Sequence, residues 1–122
     1  MDREAVDTAG LDRLSVEVRQ LGHTAVFTPA GELDHHTADL LSEPLSAAMD
    51  AGTNRLVIDC SELVFCDSTG LNVLLGARLR AEDKGGAVHL AAMRPTVARV
   101  FEITGAEAVF TVHATLDQAL QE

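Results

Sequence analysis

The chain predicts an α/β domain in the order ββαβαβαβα, with helices covering a mixed sheet of four to five strands. Three observations carry this expectation. Leu56-Val57-Ile58 is a short continuous apolar run of the kind found in strands covered on both faces. Leucines and valines recur at helical spacing in the segments that follow the apolar runs. Near the N-terminus, Leu14, Val16 and Val18 alternate strictly with Ser15, Glu17 and Arg19, the mark of a half-buried strand.

Residues 1–13 read as a charged, flexible lead-in. The alternating strand over 14–19 passes through Leu21-Gly22-His23 into a second strand over 24–28, an antiparallel hairpin that Pro29 and Gly31 are expected to end. A first helix spans 37–51, with Ala38, Leu41, Leu45 and Ala48 on one face and Asp34 or Thr37 as its cap. Pro44 clashes with the carbonyl of Leu40 in a regular helix, which costs about 3 kcal/mol. Either the helix kinks there, or a new one starts with Ser42 as cap. Gly52 stops it. After Leu56-Val57-Ile58, residues 59–67 read as a loop. A second helix over 69–84 places Leu71, Leu74, Leu75 and Leu79 on one stripe and ends at Gly85-Gly86. Ala87–Ala92 is a further buried strand. Pro95 opens a third helix with Val97, Val100 and Phe101 inward, and Gly105 ends it. A short strand over 109–112 and a last helix capped by Thr115 and running to Gln121 complete the string.

Composition removes several function classes. The 122 residues suit one domain. Nineteen acids against nine bases leave a formal charge of −10. That excess disfavours nucleic acid, whose binding depends on Lys and Arg, and disfavours an anionic membrane surface. Aromatic residues make up 3%, with no Trp or Tyr, so platforms for stacking bases are scarce. Two cysteines, Cys60 and Cys66, are too few for a disulfide scaffold and point to a reducing compartment. The charged N-terminus has no signal-peptide pattern, and no apolar run approaches the roughly 20 residues of a membrane span. A cytoplasmic protein is the expectation, with neither nucleic acid nor membrane as partner.

The most informative segment is Phe65-Cys66-Asp67-Ser68-Thr69-Gly70-Leu71, which runs from a loop into an amphipathic helix. Ser68 stands at the helix N-terminus, where free N–H groups favour an anion. Asp67 or Ser68 also suits a plain helix cap. Cys66-x-Ser68-x-Gly70 is similar to the nucleophile elbow of serine hydrolases without its first glycine. Asp83 followed by His89 or His113 satisfies only the chain order of a triad, and the chain is small for that fold. His35 and His36, as neighbours on a helix or strand, are expected to point apart. Cys60 and Cys66 lack zinc-knuckle spacing. Asp34, Asp59 and Asp67 do not specify a cation site. Neither a P-loop nor a dinucleotide fingerprint is present. No enzyme activity, metal or cofactor is expected.

Gly31-Glu32-Leu33-Asp34-His35-His36-Thr37-Ala38 together with Asp67-Ser68-Thr69-Gly70-Leu71 resembles the STAS-domain anti-sigma factor antagonists, the anti-anti-sigma factors of bacterial sporulation and stress signalling. The likeness covers residues 14–120 and implies a single STAS-type domain over 14–122. It implies that Ser68 is the phosphorylated serine and that the kinase is the anti-sigma factor itself. The unphosphorylated protein would bind that kinase and release a sigma factor, phosphorylation would break the complex, and a PP2C-type phosphatase would restore it. The partner-binding loop would comprise Gly31, Asp34, Asp67, Thr69, Gly70, Leu71 and Asn72. Asp67 either caps the helix or orients Ser68. Asp34 is either a cap or a contact residue, and the resemblance favours contact. A monomer or weak dimer is expected. Two positions depart from the family pattern: Asn72 stands where glycine is usual, which bears on the contact face of the second helix and so on partner choice, and Pro44 interrupts the first helix. A second reading keeps the domain but makes it a scaffold or a small-ligand or nucleotide sensor of a stress-signalling complex.

Overall fold

The computed structural model describes residues 13–121. Among these, the elements are β1 (Leu14–Leu21), β2 (Thr24–Leu33), α1 (Ala38–Asp50), β3 (Arg55–Asp59), β4 (Leu63–Cys66), α2 (Ser68–Asp83), β5 (Ala87–Ala91), α3 (Pro95–Thr104), β6 (Thr111–His113) and α4 (Leu116–Gln121), with a 3-10 turn at Ala106–Ala108. The α/β class and the mixed sheet are as expected. Apart from Arg13, the N-terminal lead-in lies outside the described residues.

The sheet runs β1-β2-β3-β5-β6, with β4 attached to β2 beside β3. Only β1 is antiparallel to its neighbour. β2 does not stop at Pro29. Its first half pairs in parallel with β3 over Thr24–Phe27, and its second half pairs with β4 over Gly31–Leu33. Pro29 falls in the interval between these two ladders, where no parallel partner calls on its missing N–H. β4 is the strand absent from the expected string. Its four residues, Leu-Val-Phe-Cys, carry no alternation: Leu63 and Cys66 are buried, Val64 and Phe65 exposed. Only the tail of β2 makes them a strand.

The main core lies on one face of the sheet. Ala25, Phe27, Leu56, Ile58, Val88 and Leu90 meet Leu41, Leu45 and Met49 of α1, Leu71, Leu74, Ala77 and Ala81 of α2, and Val97 and Phe101 of α3. On the other face, Val26, Val57 and Ala91 meet Ala119 of α4. Two expected apolar stripes are only half right. β1 is an edge strand, so Leu14 is buried, Val16 partly covered and Val18 exposed. On α2 the buried line is Leu71, Leu74, Ala77 and Ala81, which turns Leu79 outward to 63% exposure.

α1 is one helix from Ala38 to Asp50 with Pro44 inside it, so Ser42 starts no second helix. Leu41, Leu45 and Met49 are buried on both sides of the proline, and this packing holds the helix together. Pro44→Ala should restore a backbone hydrogen bond and raise stability by about 1–3 kcal/mol. An unchanged melting temperature would show that Pro44 costs this helix nothing.

Candidate functional site

The two sequence motifs meet because of strand register. In the β2–β4 ladder Leu33 lies opposite Cys66, and the Asp67 N–H donates to the Leu33 carbonyl at 3.1 Å. Asp34 and Asp67, the next residues of the two strands, therefore leave the sheet side by side, one into the turn before α1 and the other into α2.

Asp67 is the clamp between the two segments. Its Oδ1 accepts from the Gly70 N–H at 2.9 Å, which caps α2. Its Oδ2 accepts from the His35 N–H at 3.1 Å, across to the other loop, and the His35 ring Nδ1 lies 3.6 Å from the same oxygen. The cap is thus Asp67 and not Ser68. Ser68 is the first residue of α2, and it is exposed, as are Thr69 and Asn72. A residue at a helix N-terminus favours added negative charge by about 0.3–1 kcal/mol.

Asp34 is not the surface contact that the motif suggested. It is 4% exposed. Its Oδ1 accepts from the N–H groups of His36 and Thr37 at 2.9 and 3.2 Å, and its Oδ2 is paired with the Arg13 guanidinium. The Thr37 hydroxyl donates to the Glu32 carbonyl at 2.8 Å, closing the turn. Burial alone would raise the Asp34 pKa. The His36 N–H, the charge of Arg13 and the two donors of Thr37 together outweigh it, and the carboxyl titrates below its ordinary value of 3.8. Neither Asp34 nor Thr37 caps α1 with its side chain: Thr37 holds the cap position without a side-chain cap bond, and the N–H groups that Asp34 takes belong to the turn before the helix.

Three further residues expected at the partner surface do structural work. Leu71 is core, at 5% exposure. Gly70 is buried against β2, and a Cβ there would come within 2.6 Å of the Leu33 side chain. Gly31 has φ +118°, and a Cβ would reach 2.0 Å from the Arg13 carbonyl oxygen, so glycine is required on both counts. The residues that present chemistry outward are Ser68, Thr69, Asn72 and, not expected at the site from the sequence, Phe65, Val64 and Glu32. These last three line a shallow depression with Arg13, His35 and Asp67. No sequence signal marked Phe65 as exposed, and the other three Phe are buried.

The hydrolase arrangement does not assemble. Asp83 is the last residue of α2 and Ser68 the first, which separates them by about 22 Å of helix. His89 and His113 face each other on β5 and β6, Nδ1 to Nε2 at 3.0 Å. His35 and His36 do not point apart. They occupy a turn, and their ring centroids are 3.9 Å apart. Cys60 and Cys66 are both buried free thiols. Burial first, and then the charges of Asp59 beside Cys60 and Asp67 beside Cys66, push both up to about 12, which leaves them protonated and unreactive at neutral pH. Among the described residues, no group of three or more His, Cys, Asp or Glu could hold a metal ion, and no helix is long and apolar enough to cross a membrane.

The Asp34 pKa is depressed on folding, so its contribution to stability is complete above the unfolded value and disappears as pH falls through the folded one. Asp34→Asn should therefore lower the melting temperature at pH 7. The gap from wild type should narrow as the pH falls below about 3.8, measured by thermal denaturation. A gap that does not change with pH would mean that the carboxylate charge is not what holds the turn.

The STAS domain model matches residues 15–119. An anti-sigma F factor antagonist of Lysinibacillus sphaericus is 34% identical over 98 residues, 80% of this chain and 83% of the relative. The crystal structure of an anti-sigma factor antagonist from Mycobacterium paratuberculosis superposes with a TM-score of 0.82 at 29% identity, covering 90% of this chain and 93% of that one. The Bacillus antagonist SpoIIAA superposes in both forms solved. The unphosphorylated form gives a TM-score of 0.77 at 28% identity, covering 87% and 93%, and the phosphorylated form gives 0.71 at 27%, covering 88% and 97%. With its two motifs joined across β2 and β4, the chain belongs to the STAS-domain family of anti-sigma factor antagonists, which are regulators and not enzymes.

Proposed function

We propose that this protein is a cytoplasmic anti-sigma factor antagonist controlled by phosphorylation of Ser68, acting as a monomer or weak dimer. The unphosphorylated chain binds an anti-sigma factor that is itself a serine kinase, and a sigma factor is released. In the kinase reaction the Ser68 Oγ bonds to the γ-phosphorus of ATP and the bond to the bridging oxygen breaks. ADP leaves and the hydroxyl proton passes to solvent. A PP2C-type phosphatase hydrolyses the phosphoserine and resets the protein. One observation carries this reading: Ser68 is exposed at the start of α2 while its neighbour Asp67 supplies the cap, so the hydroxyl has no structural duty to lose. That SpoIIAA has been solved in a phosphorylated form is consistent with it.

The physical effect is one of charge placed at a contact surface. Phosphate adds about −1.5 to −2 charges and three strong acceptors. The helix N-terminus tolerates this within the monomer, so the fold survives. Against a bound partner the dianion must be desolvated beside Asp67, or face any carboxylate opposite. An unpaired charge buried in an interface costs about 2–5 kcal/mol of binding, or roughly 30- to several-thousand-fold. Asp34, neutralised by Arg13 below the surface, and Gly31, Gly70 and Leu71, packed into the scaffold, hold the loop in place, while Thr69 and Asn72 continue the exposed face.

Capture from native cell extract with Ser68→Ala as bait identifies the kinase. Incubating the purified pair with ATP should then place one phosphate on Ser68, mapped by mass spectrometry. Ser68→Ala should bind the kinase whether or not ATP is present, and Ser68→Asp should bind at least ~30-fold more weakly. Equal binding by the two variants would remove charge at Ser68 as the control. Stable high-order assembly, or saturable binding of a small ligand without any kinase, would instead favour a scaffold or sensor.

A further inference from the structure

Two strands end the main run of the sheet, β1 and β6. β6 is three residues long, but β1 has eight and pairs with β2 along all of them without a bulge. A regular edge of that length presents backbone N–H and C=O groups ready for another strand. Which groups those are follows from the hairpin. Gly22-His23 forms a two-residue turn with Gly22 at φ +64°, so Leu21 and Thr24 close it as a hydrogen-bonded pair. Alternation then aims the backbone groups of Ser15, Glu17, Arg19 and Leu21 at β2, and those of Val16, Val18 and Gln20 outward. Two observations agree with this phase. Pro29, which has no N–H, lies opposite Val16, and the Gly31 N–H, opposite Leu14, donates away from β1 to the Glu62 carbonyl. Among the described residues, nothing hydrogen-bonds the outward groups from the far side.

The side chains along this edge select its occupant. Val18 stands at the centre and is 46% exposed. Glu17 and Arg19 flank it, are exposed, and form no ion pair among the described residues. A second copy laid antiparallel, with Val18 facing Val18, sets outward groups against outward groups, since Val16 then meets Gln20 of the second copy. In the same register Glu17 stands opposite Arg19 of the second copy, and Arg19 opposite its Glu17. These are the non-hydrogen-bonded pairs, whose Cα atoms lie about 4.5 Å apart, and opposite charges so placed attract. The neighbouring registers of the same phase lose the match. Centred on Val16, Arg19 would face Arg13. Centred on Gln20, Glu17 would face His23 of the turn. The strand is thus complementary to itself in one register, whereas a uniformly basic or acidic strand from another protein would satisfy only one of the two charges.

We propose that β1 is a homodimerisation edge: two copies of this chain pair antiparallel through residues 15–21 about a two-fold axis at Val18, which continues the sheet across both. This goes beyond the Ser68 reading and does not depend on it. Ser68 follows the Leu33–Cys66 register, at the Leu14 end of β1. The antiparallel axis therefore carries the two Ser68 sites to opposite ends of the dimer and leaves both open. The net charge of −10, with Asp39 and Glu43 exposed on the α1 helix that packs over β1, opposes association. A single strand pair also falls short of the roughly 1,200 Å² buried by stable complexes. The dimer is weak and forms at high protein concentration.

Sedimentation equilibrium from micromolar to millimolar protein, at fixed salt, tests the register by charge exchange. Wild type should dimerise, and Ser68→Asp should dimerise equally. Glu17→Arg and Arg19→Glu should each weaken the dimer ~10-fold or more, the first even though it makes the chain less acidic. Glu17→Arg combined with Arg19→Glu should restore the dimer, and the two single variants mixed should form a heterodimer. All of these should melt near wild type, because neither side chain has an ion-pair partner within the described fold. Amide hydrogen exchange followed by NMR gives a reading that needs no variant. The Val16, Val18 and Gln20 N–H groups should become protected as concentration rises, whereas those of Glu17 and Arg19 are protected throughout. A wild type that stays monomeric at millimolar concentration overturns the proposal, and the Ser68 reading then stands or falls on kinase binding alone. So does a dimer that the single variants leave intact, or one that the double exchange does not restore. Protection of the outward amides that is insensitive to dilution would mean that the edge is covered within one chain, and this too overturns it.

Discussion

β2 is ten residues long and serves two parallel neighbours in succession, β3 along its first half and β4 along its second. Everything at the site depends on this division. Had β3 paired along the whole of β2, the Leu33-Asp34 end would have had no contact with Cys66-Asp67. Because β4 takes the second half, the Leu33–Cys66 register delivers the two aspartates side by side and starts α1 and α2 from the same corner of the sheet. Gly31 makes the transition physically possible, since its backbone conformation and its approach to Arg13 exclude any side chain at the point where the register shifts.

The two aspartates then divide the work. Asp34 turns inward, takes two backbone N–H groups and Arg13, and stabilises the turn that leads into α1. Asp67 stays half-exposed and holds the two segments together through one N–H from each. With both carboxylates engaged, Ser68 sits on a fixed platform without being part of it. Such a division suits a residue proposed to change charge: the scaffold is indifferent to the modification, and the consequence falls on whatever covers the surface.

The acid excess belongs to the same arrangement. Long-range attraction speeds encounter with a basic partner, but affinity is decided by short-range fit and by the few charges that must be desolvated. Of the nineteen acids, Asp34 is buried and paired, and it contributes to the shape of the loop and not to its outward charge.

Much was legible in the sequence because it is local. The helices of Leu71–Leu74 and Val97–Phe101, the buried strand around Val57, the Thr115 cap and the two motifs at their separation follow from spacing and residue type, which the chain carries wherever it folds. Only the tertiary structure could decide features that depend on a distant partner. Leu63–Cys66 has no strand pattern of its own and becomes a strand because the tail of β2 is free beside it. Pro29 is tolerated because two ladders leave an interval at its level. Leu79 keeps helical spacing yet faces solvent, since the direction of a helix's buried face is set by the sheet beneath it. Asp34 reads like a surface acid until Arg13, twenty-one positions away in sequence, is seen against it. The sequence determined the elements other than β4 and the chemistry available to them. The register of β2 with β4, a non-local choice made by backbone hydrogen bonds, determined which of those residues meet and which face outward.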